Sequence, residues 1–543
     1  MTPTPPPYDA LLWEKKPFAE KVRMVCQAWA LQGYGSPIGA ILIYAVKVLA
    51  YLWAWTAFVR FTPGLGEVSE FGRWWSEPVA FQKAILWSLL FEISGLGCGS
   101  GPLTGRYFPP IGGVLYFWRP GTTKRPLFPE LPLVGGHRRT ILDVALYVGL
   151  QVALLWALTR PAITGAELWP VVILLPILGL TDRTLFLAAR SEHYYTLILC
   201  FLFAAHWIAG AKAVFFAVWF WAGISKLNHH FPAVVGVMIS NSPVVRFAWA
   251  RRLMYRRFPD DCRPSSLATG MAHVGTVLEL AVPITLGLGS GGTLTQVGLV
   301  LMLLLHSFIT SSVPMGVPIE WNFVMVYGGF YLFWHHAAVS VTELGSLPLA
   351  AVLAVALVGL PLLGNLKPAW VSFLLAMRYY AGNWAYSVWL FRGDAYRKLD
   401  RLTKSAPWLY DQLAHFYDRR TAVGLVGKVI AFRAMHLHGR GLQILLPKAV
   451  DRVEDYEHVD GELVAGLALG WNFGDGHLHD EGLLRAIQAQ CEFEEGELRC
   501  VFVEAQPLFG HSLSYRIADA KSGERERGEL EVADLRQRQP WPT

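Results

Sequence analysis

The chain has 543 residues, of which 53% are hydrophobic and only 16% are charged, and its net charge is +6. This composition is typical of a polytopic membrane protein with a soluble remainder. The modest positive charge lies in particular loops, which argues against nucleic-acid binding. Six cysteines without any C-x-x-C spacing give no support to a disulfide scaffold or a zinc ribbon.

The first part of the chain predicts a short amphipathic segment followed by a bundle of membrane helices. Residues 1–36 are expected to be cytoplasmic, with Phe18 to Leu31 lying at the membrane surface. No signal-type apolar run precedes them, so the first membrane helix is expected to be a retained anchor. A membrane domain is predicted over 37–364. Its roughly ten spans are expected at about 37–59, 80–98, 140–159, 169–181, 194–209, 210–225, 271–289, 295–313, 318–334 and 346–364.

Charged residues inside and between these spans lead to predictions about an ion pair, a binding loop and the orientation of the chain. Lys47 in the first span and Glu92 in the second are expected to pair, since intramembrane charges are usually tolerated in this way. The loop over about 99–139 is rich in glycine, proline and basic residues, among them Arg106. Backbone N–H groups and arginine there could hold an anionic head group, or the glycines could simply form turns. Basic residues in alternate loops place the N terminus in the cytoplasm.

The second part of the chain is more polar. Residues 365–440 are predicted to be an interfacial helical segment, in which the aromatic, amphipathic stretch from Ala369 to Phe391 suits an interfacial helix or one packed under the bundle. Residues 441–543 contain short, loosely alternating runs and are predicted to form a soluble β-rich domain in the cytoplasm. The predicted fold class is an all-α polytopic membrane protein of about ten transmembrane helices with a small C-terminal soluble β-rich domain. The expected location is the inner or plasma membrane.

Three residues in apolar surroundings are candidates for chemistry. Lys226 ends a long apolar run, and a lysine at the edge of hydrocarbon must snorkel, pair or lose its proton. Burial would lower its pKa, as a general base requires; the alternative is a snorkelling anchor. His193 and His306 lie within or beside apolar helices, where ionisable groups are often functional. The alternative for each is a hydrogen-bonded structural histidine.

The polar tail offers a weaker candidate site. His477, His479 and Asp480 follow one another closely in the run Asp475-Gly476-His477-Leu478-His479-Asp480-Glu481. Imidazole and carboxylate are suitable metal ligands. An ordinary polar turn is the alternative explanation, because the sequence shows no second group of ligands for these residues to join.

Three segments resemble the transmembrane domain of the vitamin K-dependent γ-carboxylase family, also known as the HTTM (horizontally transferred transmembrane) superfamily. Ala222-Gly223-Ile224-Ser225-Lys226-Leu227 is similar to the family's Ala-Gly-x-Lys-Lys-Leu motif, and Glu192 to Leu197 is similar to its His-Ser-Tyr-Leu-Tyr segment. His306 to Thr310, preceded by His273 to Glu279 and followed by Val317 to Asn322, is similar to a later helix of the family. The similarity covers about 140–340. The whole chain also resembles an uncharacterised family of bacterial membrane proteins, which implies no activity.

The resemblance implies a role for each matched residue. Lys226 would be the base, and His193 and His306 would orient or stabilise the substrate. Residues that bind a cofactor are not identified by the resemblance; Arg106 of the basic loop and Glu279 are the candidates. A quinone-like lipid is the one cofactor suggested. Ser225 replaces the first lysine of the motif, and no large lumenal domain follows, so carboxylation of protein glutamates is not expected.

The predicted function is therefore a membrane-embedded enzyme that deprotonates or oxidises a quinone- or isoprenoid-like lipid. The main alternative is a non-catalytic lipid-binding or assembly subunit of a larger membrane complex, favoured by the aromatic residues and the basic 99–139 loop. A transporter is a third alternative, and the lack of a clear inverted repeat counts against it. The expected partners are membrane lipids and other membrane proteins.

Overall fold

A computed structural model describes residues 4–36, 38–97, 113–312 and 319–542. The helices before residue 98 are α1 (Ala10–Trp13), α2 (Phe18–Gln32), α3 (Ile38–Val59), α4 (Phe71–Trp74) and α5 (Pro78–Ile93). Those between 113 and 312 are α6 (Val114–Phe117), α7 (Ile141–Leu158), α8 (Gly165–Thr181), α9 (Arg183–Ala188), α10 (Thr196–Phe201), α11 (Trp207–Ser225), α12 (Phe231–Asn241), α13 (Ala248–Arg252), α14 (Ser266–Leu288) and α15 (Thr293–Ser311). Those after 318 are α16 (Ile319–Gly328), α17 (Leu347–Ala354), α18 (Leu360–Leu366), α19 (Leu409–Ala414), α20 (Arg419–Met435), α21 (Leu437–Ala449), α22 (Gly461–Leu469), α23 (Glu481–Cys491) and α24 (Val532–Gln537).

The strands fall into two antiparallel sheets. A small hairpin pairs β1 (Tyr255–Arg257) with β2 (Asp261–Pro264). The larger sheet has the order β4–β3–β5–β6–β7. Its strands are β3 (Tyr386–Arg392), β4 (Tyr456–Asp460), β5 (Leu498–Val503), β6 (Ser512–Asp519) and β7 (Gly523–Glu531).

Six helical segments in the described ranges are long and apolar enough to cross a membrane. They are Ile41–Val59, Ile141–Leu158, Trp207–Ser225, Ser266–Leu288, Thr293–Ser311 and Leu347–Leu366. The predicted count of about ten spans is therefore not confirmed. The segment predicted at 194–209 breaks into a π-helical turn, Ser191–Tyr195, and the six-residue α10. The 16-residue α5 is buried on almost every side, so its apolar composition serves contacts with other helices rather than with lipid.

Local hydrogen bonds define where several of these helices begin. Thr140 accepts a hydrogen bond from the backbone of Asp143, and the Asp143 carboxylate accepts from the backbone of Thr140, which forms a capping box at α7. Thr164 and Glu167 form the same arrangement at α8, and Ser265 caps α14. These caps start the helices that carry the interior side chains described below.

Two predicted elements differ from the structure. The amphipathic helix at the N terminus is present as α2, but its apolar face, including Val25 and Trp29, packs on α20 and α12. Protein therefore covers the surface that was expected to face lipid. The predicted interfacial helix from Ala369 to Phe391 is wrong, because turns lead into β3. Six of the seven β3 residues are buried, so its continuous apolar run lacks the alternation by which a strand is usually recognised.

Candidate functional site

Lys226 is buried and forms an ion pair within the protein. It follows the last residue of α11, and its ammonium contacts the carboxylate of Glu279 on α14. Lys226 is only 7% exposed and Glu279 only 5%. The ammonium also faces the Phe231 ring, at 5.5 Å from its centroid. Lys226 therefore does not snorkel to the surface, since a partner in the interior compensates its charge.

His306 on α15 is held by hydrogen bonds at both ring nitrogens. The indole N–H of Trp219 donates to His306 Nε2 at 3.1 Å, and His306 Nδ1 lies 2.7 Å from Asn322 Oδ1. An indole nitrogen can only donate, so Nε2 is the acceptor and the proton of the neutral ring lies on Nδ1. The two bonds fix both the tautomer and the orientation of this imidazole.

His193 has the opposite character. It lies in the π-helical turn Ser191–Tyr195, has no exposed surface, and neither of its ring nitrogens has a hydrogen-bond partner in the described structure. Its ring is surrounded by those of Tyr194, Phe215 and Trp321, with centroids 4.8, 5.0 and 6.0 Å away. An imidazole without partners in an aromatic interior is unusual, because buried polar groups are nearly always hydrogen-bonded.

The three predicted catalytic residues share one interior region of the bundle. Trp321 on α16 lies between the two histidines, since its ring centroid is 6.0 Å from that of His193 and 6.4 Å from that of His306. Lys226 follows Trp219 by seven residues on the same face of α11, about 10 Å along the helix axis. The structure therefore brings the region around Lys226 and the two histidines together, although in the described residues no hydrogen bond or ring contact joins these three side chains directly.

Sequence reasoning missed a second set of polar side chains in this interior. Arg190 has a left-handed backbone, with φ of 51°, and its Nε donates to Glu192 at 2.9 Å. The hydroxyl of Tyr379 also donates to Glu192. The Arg190 guanidinium faces three aromatic rings, those of Trp321, Tyr379 and Phe473, at 5.3, 5.3 and 5.0 Å. An arginine and a glutamate beside His193 in an apolar stretch were the available signal.

Lys47 on α3 does not have the partner that was expected from the sequence. Lys47 was predicted to pair with Glu92, but its ammonium lies 3.8 Å from Glu320 and donates to the backbone oxygen of Gly97 at 2.9 Å. Glu320 is 2% exposed. Glu92 is 1% exposed and lies one turn after Ser88 on α5, whose hydroxyl is bonded to Tyr51, one turn after Lys47 on α3. These carboxylates therefore belong to the same interior region.

Three cations of the basic loop form ion pairs inside the protein, whereas Arg119 and Arg138 are exposed. The ammonium of Lys124 lies 2.7 Å from Asp143, Arg139 pairs with Asp182, and Arg125 pairs with Asp480 at 2.8 Å. All three cations are buried. They are therefore not exposed for a lipid head group, and the predicted cofactor contact Arg106 lies outside the described residues.

The three weak metal candidates of the tail have separate partners. His477 lies 3.1 Å from Glu504 and 3.4 Å from Asp475 through its two ring nitrogens. His479 Nδ1 lies 2.6 Å from the hydroxyl of Ser387, and Asp480 accepts from Arg125. In the described ranges no group of three or more histidine, cysteine, aspartate or glutamate side chains is arranged to hold a metal ion.

We predict that deprotonation of His477 makes the protein less stable at alkaline pH. Burial alone would lower its pKa, but the charges of Glu504 and Asp475 outweigh burial and raise the pKa from 6.5 to about 10. Because the pKa in the folded chain is the higher one, folding takes up a proton. The resulting stabilisation is complete below about pH 6.5 and is lost as the pH rises towards 10.

We expect the free energy of unfolding of the wild type to fall by about 3–4 kcal/mol between pH 7 and pH 10. The His477→Gln variant should be less stable at pH 7 and should lose much less over this range. Thermal unfolding of both proteins at a series of pH values measures the difference. Parallel pH curves for the two proteins would show that His477 is not protonated in the fold.

Comparison with known proteins agrees with the membrane character of these helices. A family model described as "Transmembrane protein of unknown function (DUF3556)" matches residues 1–543, so the chain is an integral membrane protein. It belongs to the DUF3556 family. No carboxylase-like or HTTM family model matches. No curated protein and no solved structure matches the chain.

Proposed function

We propose that the protein is a membrane-embedded enzyme that acts on a hydrophobic, quinone- or isoprenoid-like lipid. The observation that carries this proposal is His193, a fully buried imidazole without hydrogen-bond partners in the described structure. Such a group is expected to meet a polar atom in the functional state, because leaving it unbonded is unfavourable. The aromatic rings around it favour a ligand that is otherwise apolar.

In this proposal Lys226 is the base and Glu279 its proton acceptor. Transfer of a proton from the Lys226 ammonium to the Glu279 carboxylate converts the buried ion pair into a neutral amine and a carboxylic acid, a form that a dry interior favours. The amine then removes a proton from a hydroxyl or an activated carbon of the lipid. His193 donates a hydrogen bond to the oxygen that becomes negative. His306 is a positioning residue, because both of its nitrogens are already occupied.

The orientation of the chain is part of the same proposal. Basic residues of the N-terminal segment and of alternate loops support a cytoplasmic N terminus, following the distribution of lysine and arginine in membrane proteins. The C-terminal sheet is proposed to lie on the same side. Lys226, at the end of α11, would then face the cytoplasmic half of the membrane.

The test compares the wild type with the Lys226→Met variant. Purified protein in nanodiscs is incubated with quinols and polyprenols, and the lipids are analysed by liquid chromatography and mass spectrometry. We expect the wild type to convert one class and Lys226→Met to lose at least about 100-fold in rate, the usual loss when a general base is removed. Native mass spectrometry of both proteins shows whether the lipid is still bound.

Lys212→Met is the matched control. Lys212 lies on the same helix, α11, and donates to the backbone oxygens of His336 and Val339, which is a structural role. This variant should lose stability while each folded molecule keeps its rate. Equal conversion by wild type and Lys226→Met would contradict the proposal. A lipid that binds without conversion by any of these proteins would instead favour the non-catalytic lipid-binding subunit.

A further inference from the structure

We infer that the lipid enters through an apolar groove beside α3 and α16, and that Glu320 at the end of this groove selects a neutral, hydroxyl-bearing head over a phosphorylated one. This inference takes the class of hydrophobic lipid from the proposed function and adds the binding site and the chemistry of the head.

The groove is a lateral opening in the helical bundle. It holds about 550 Å³, within the range of small-molecule sites, and its walls come from α3, α4, α5, α16 and the turn that follows α16. Two of its lining residues, Phe71 and Phe323, are 45% and 42% exposed, so the groove opens at the surface of the bundle. The candidate span that forms one wall, Ile41–Val59, is mostly unburied and therefore faces lipid.

Three polar groups of the aromatic side chains that line the groove are already hydrogen-bonded within the protein. The indole N–H of Trp55 donates to the backbone oxygen of Ala80 at 3.0 Å, and the Tyr327 hydroxyl donates to that of Trp75 at 2.6 Å. The Tyr51 hydroxyl is bonded to Ser88 at 2.6 Å. A hydrocarbon chain fits this surface, because it leaves all of these hydrogen bonds in place.

The Lys47–Glu320 pair lies one helical turn beyond the residues that line one end of the groove. Lys47 lies one helical turn before Tyr51 on α3, and Glu320 lies one turn before Val324 on α16, where side chains four residues apart are neighbours. Farther along both helices, the rings of Trp55 and Tyr327 are 5.0 Å apart. The helices α3 and α16 therefore run parallel along the groove, and Lys47 and Glu320 lie beyond the same end of it.

The carboxylate of Glu320 has unused capacity for hydrogen bonds. It is 2% exposed, its two oxygens accept no hydrogen bond in the described structure, and the ammonium of Lys47 remains 3.8 Å away. A carboxylate can only accept hydrogen bonds when ionised. A hydroxyl on the lipid would supply the missing donor and relieve the unfavourable burial of these oxygens.

The charge of the site argues against an anionic head group. Besides Glu320, the buried Glu92 lies one turn from Ser88, the partner of the groove residue Tyr51. The ammonium of Lys47 is already shared between Glu320 and a backbone oxygen. A phosphate would place further negative charge beside these carboxylates where water does not screen it. The site therefore favours a neutral alcohol or phenol with an isoprenoid-like chain.

The experiment compares two probes that differ only in charge and phosphorylation. Radiolabelled farnesol and farnesyl monophosphate are titrated against the full-length protein in phosphatidylcholine nanodiscs, with empty nanodiscs as the background. We expect the wild type to bind farnesol at least tenfold more tightly. In Glu320→Gln the preference should fall below threefold, because the amide removes the negative charge and can also donate to a phosphate. An unchanged preference in this variant, or equal affinities in the wild type, would overturn the inference.

A second pair of variants tests the groove itself. Thr56→Trp places a bulky ring into the groove and should weaken farnesol binding at least tenfold. Leu49→Trp adds the same bulk on the lipid-facing side of α3, where Leu49 is 65% exposed, and should bind normally. A photoreactive farnesol analogue applied to the wild type should label peptides that contain 51–56 or 323–330; labelling only elsewhere would overturn the inference without any variant.

These measurements separate the inference from the proposed function because they require no turnover. The inference would stand, and the proposed enzymatic function would be contradicted, if binding depended on the groove and on the head group while wild type and Lys226→Met converted lipid equally. Lipid conversion that is lost in Lys226→Met but unaffected by Thr56→Trp would do the reverse.

Discussion

Replacing Arg433 by methionine is expected to lower the free energy of unfolding by about 3–5 kcal/mol, the usual loss when one member of a buried ion pair is removed. The Arg433 guanidinium pairs with Asp460 at 2.8 Å and also contacts Glu462. It stacks on the Tyr386 ring at 3.9 Å from the centroid. The remaining contacts of Asp460 are to neutral donors, so its charge would stay buried without compensation.

The effect is measured by thermal unfolding of the purified protein, where we expect the unfolding temperature to fall by about 3–4 °C. Arg452→Met is the control, because the Arg452–Asp455 pair is 3.9 Å long and both side chains are largely exposed. It should change stability by no more than about 0.5 kcal/mol. Similar losses of stability in the two variants would contradict the prediction that the buried Arg433–Asp460 pair stabilises the protein more than an exposed pair does.

Replacing His193 by phenylalanine is expected to abolish the proposed activity while making the protein more stable. The phenyl ring keeps the aromatic contacts with Phe215 and Trp321 and removes two buried nitrogens that have no hydrogen-bond partner in the described structure. Relief of such unsatisfied groups is worth about 1–3 kcal/mol. Loss of the hydrogen bond to a developing oxyanion should slow conversion at least about 100-fold. Stability and rate should thus move in opposite directions.

The two readouts are thermal unfolding and lipid conversion by the same preparation. His335→Phe serves as the control, because His335 is an exposed histidine of the same bundle and its replacement should alter neither quantity. A His193→Phe protein that is destabilised would show that the imidazole makes favourable contacts in the fold. One that is stable and fully active would remove His193 from the proposed mechanism.

Long apolar runs made much of the membrane region predictable. The spans expected at 37–59, 140–159 and 295–313 coincide closely with observed helices, because a length of about 20 apolar residues leaves few alternatives in a bilayer. Short apolar segments were harder, since α5 and α10 are apolar for packing inside the protein. The prediction of a helix over β3 fails because a strand buried on both faces shows no two-residue period.

The candidate site was predictable only in part. Charged or ionisable residues in apolar runs pointed to Lys226, His193 and His306, and the structure places their surroundings in one interior region. Their partners lie far away in the sequence. Glu279 follows Lys226 by more than fifty residues, and Glu320 reaches Lys47 across most of the membrane region. Sequence periodicity describes each helix alone and does not say which helices are neighbours.

The position of β3 in the larger sheet has a consequence for synthesis of the protein. β3 leaves the ribosome soon after the last apolar helix, yet both of its neighbours, β4 and β5, are made later. About a hundred further residues must be added before both edges are paired, which takes roughly 5–20 s at ordinary rates of translation. During that time the run Tyr386-Ser387-Val388-Trp389-Leu390-Phe391 has two open edges. The nascent chain is therefore most prone to aggregation after its membrane helices are complete, and overproduction should benefit from slow translation of the C-terminal third.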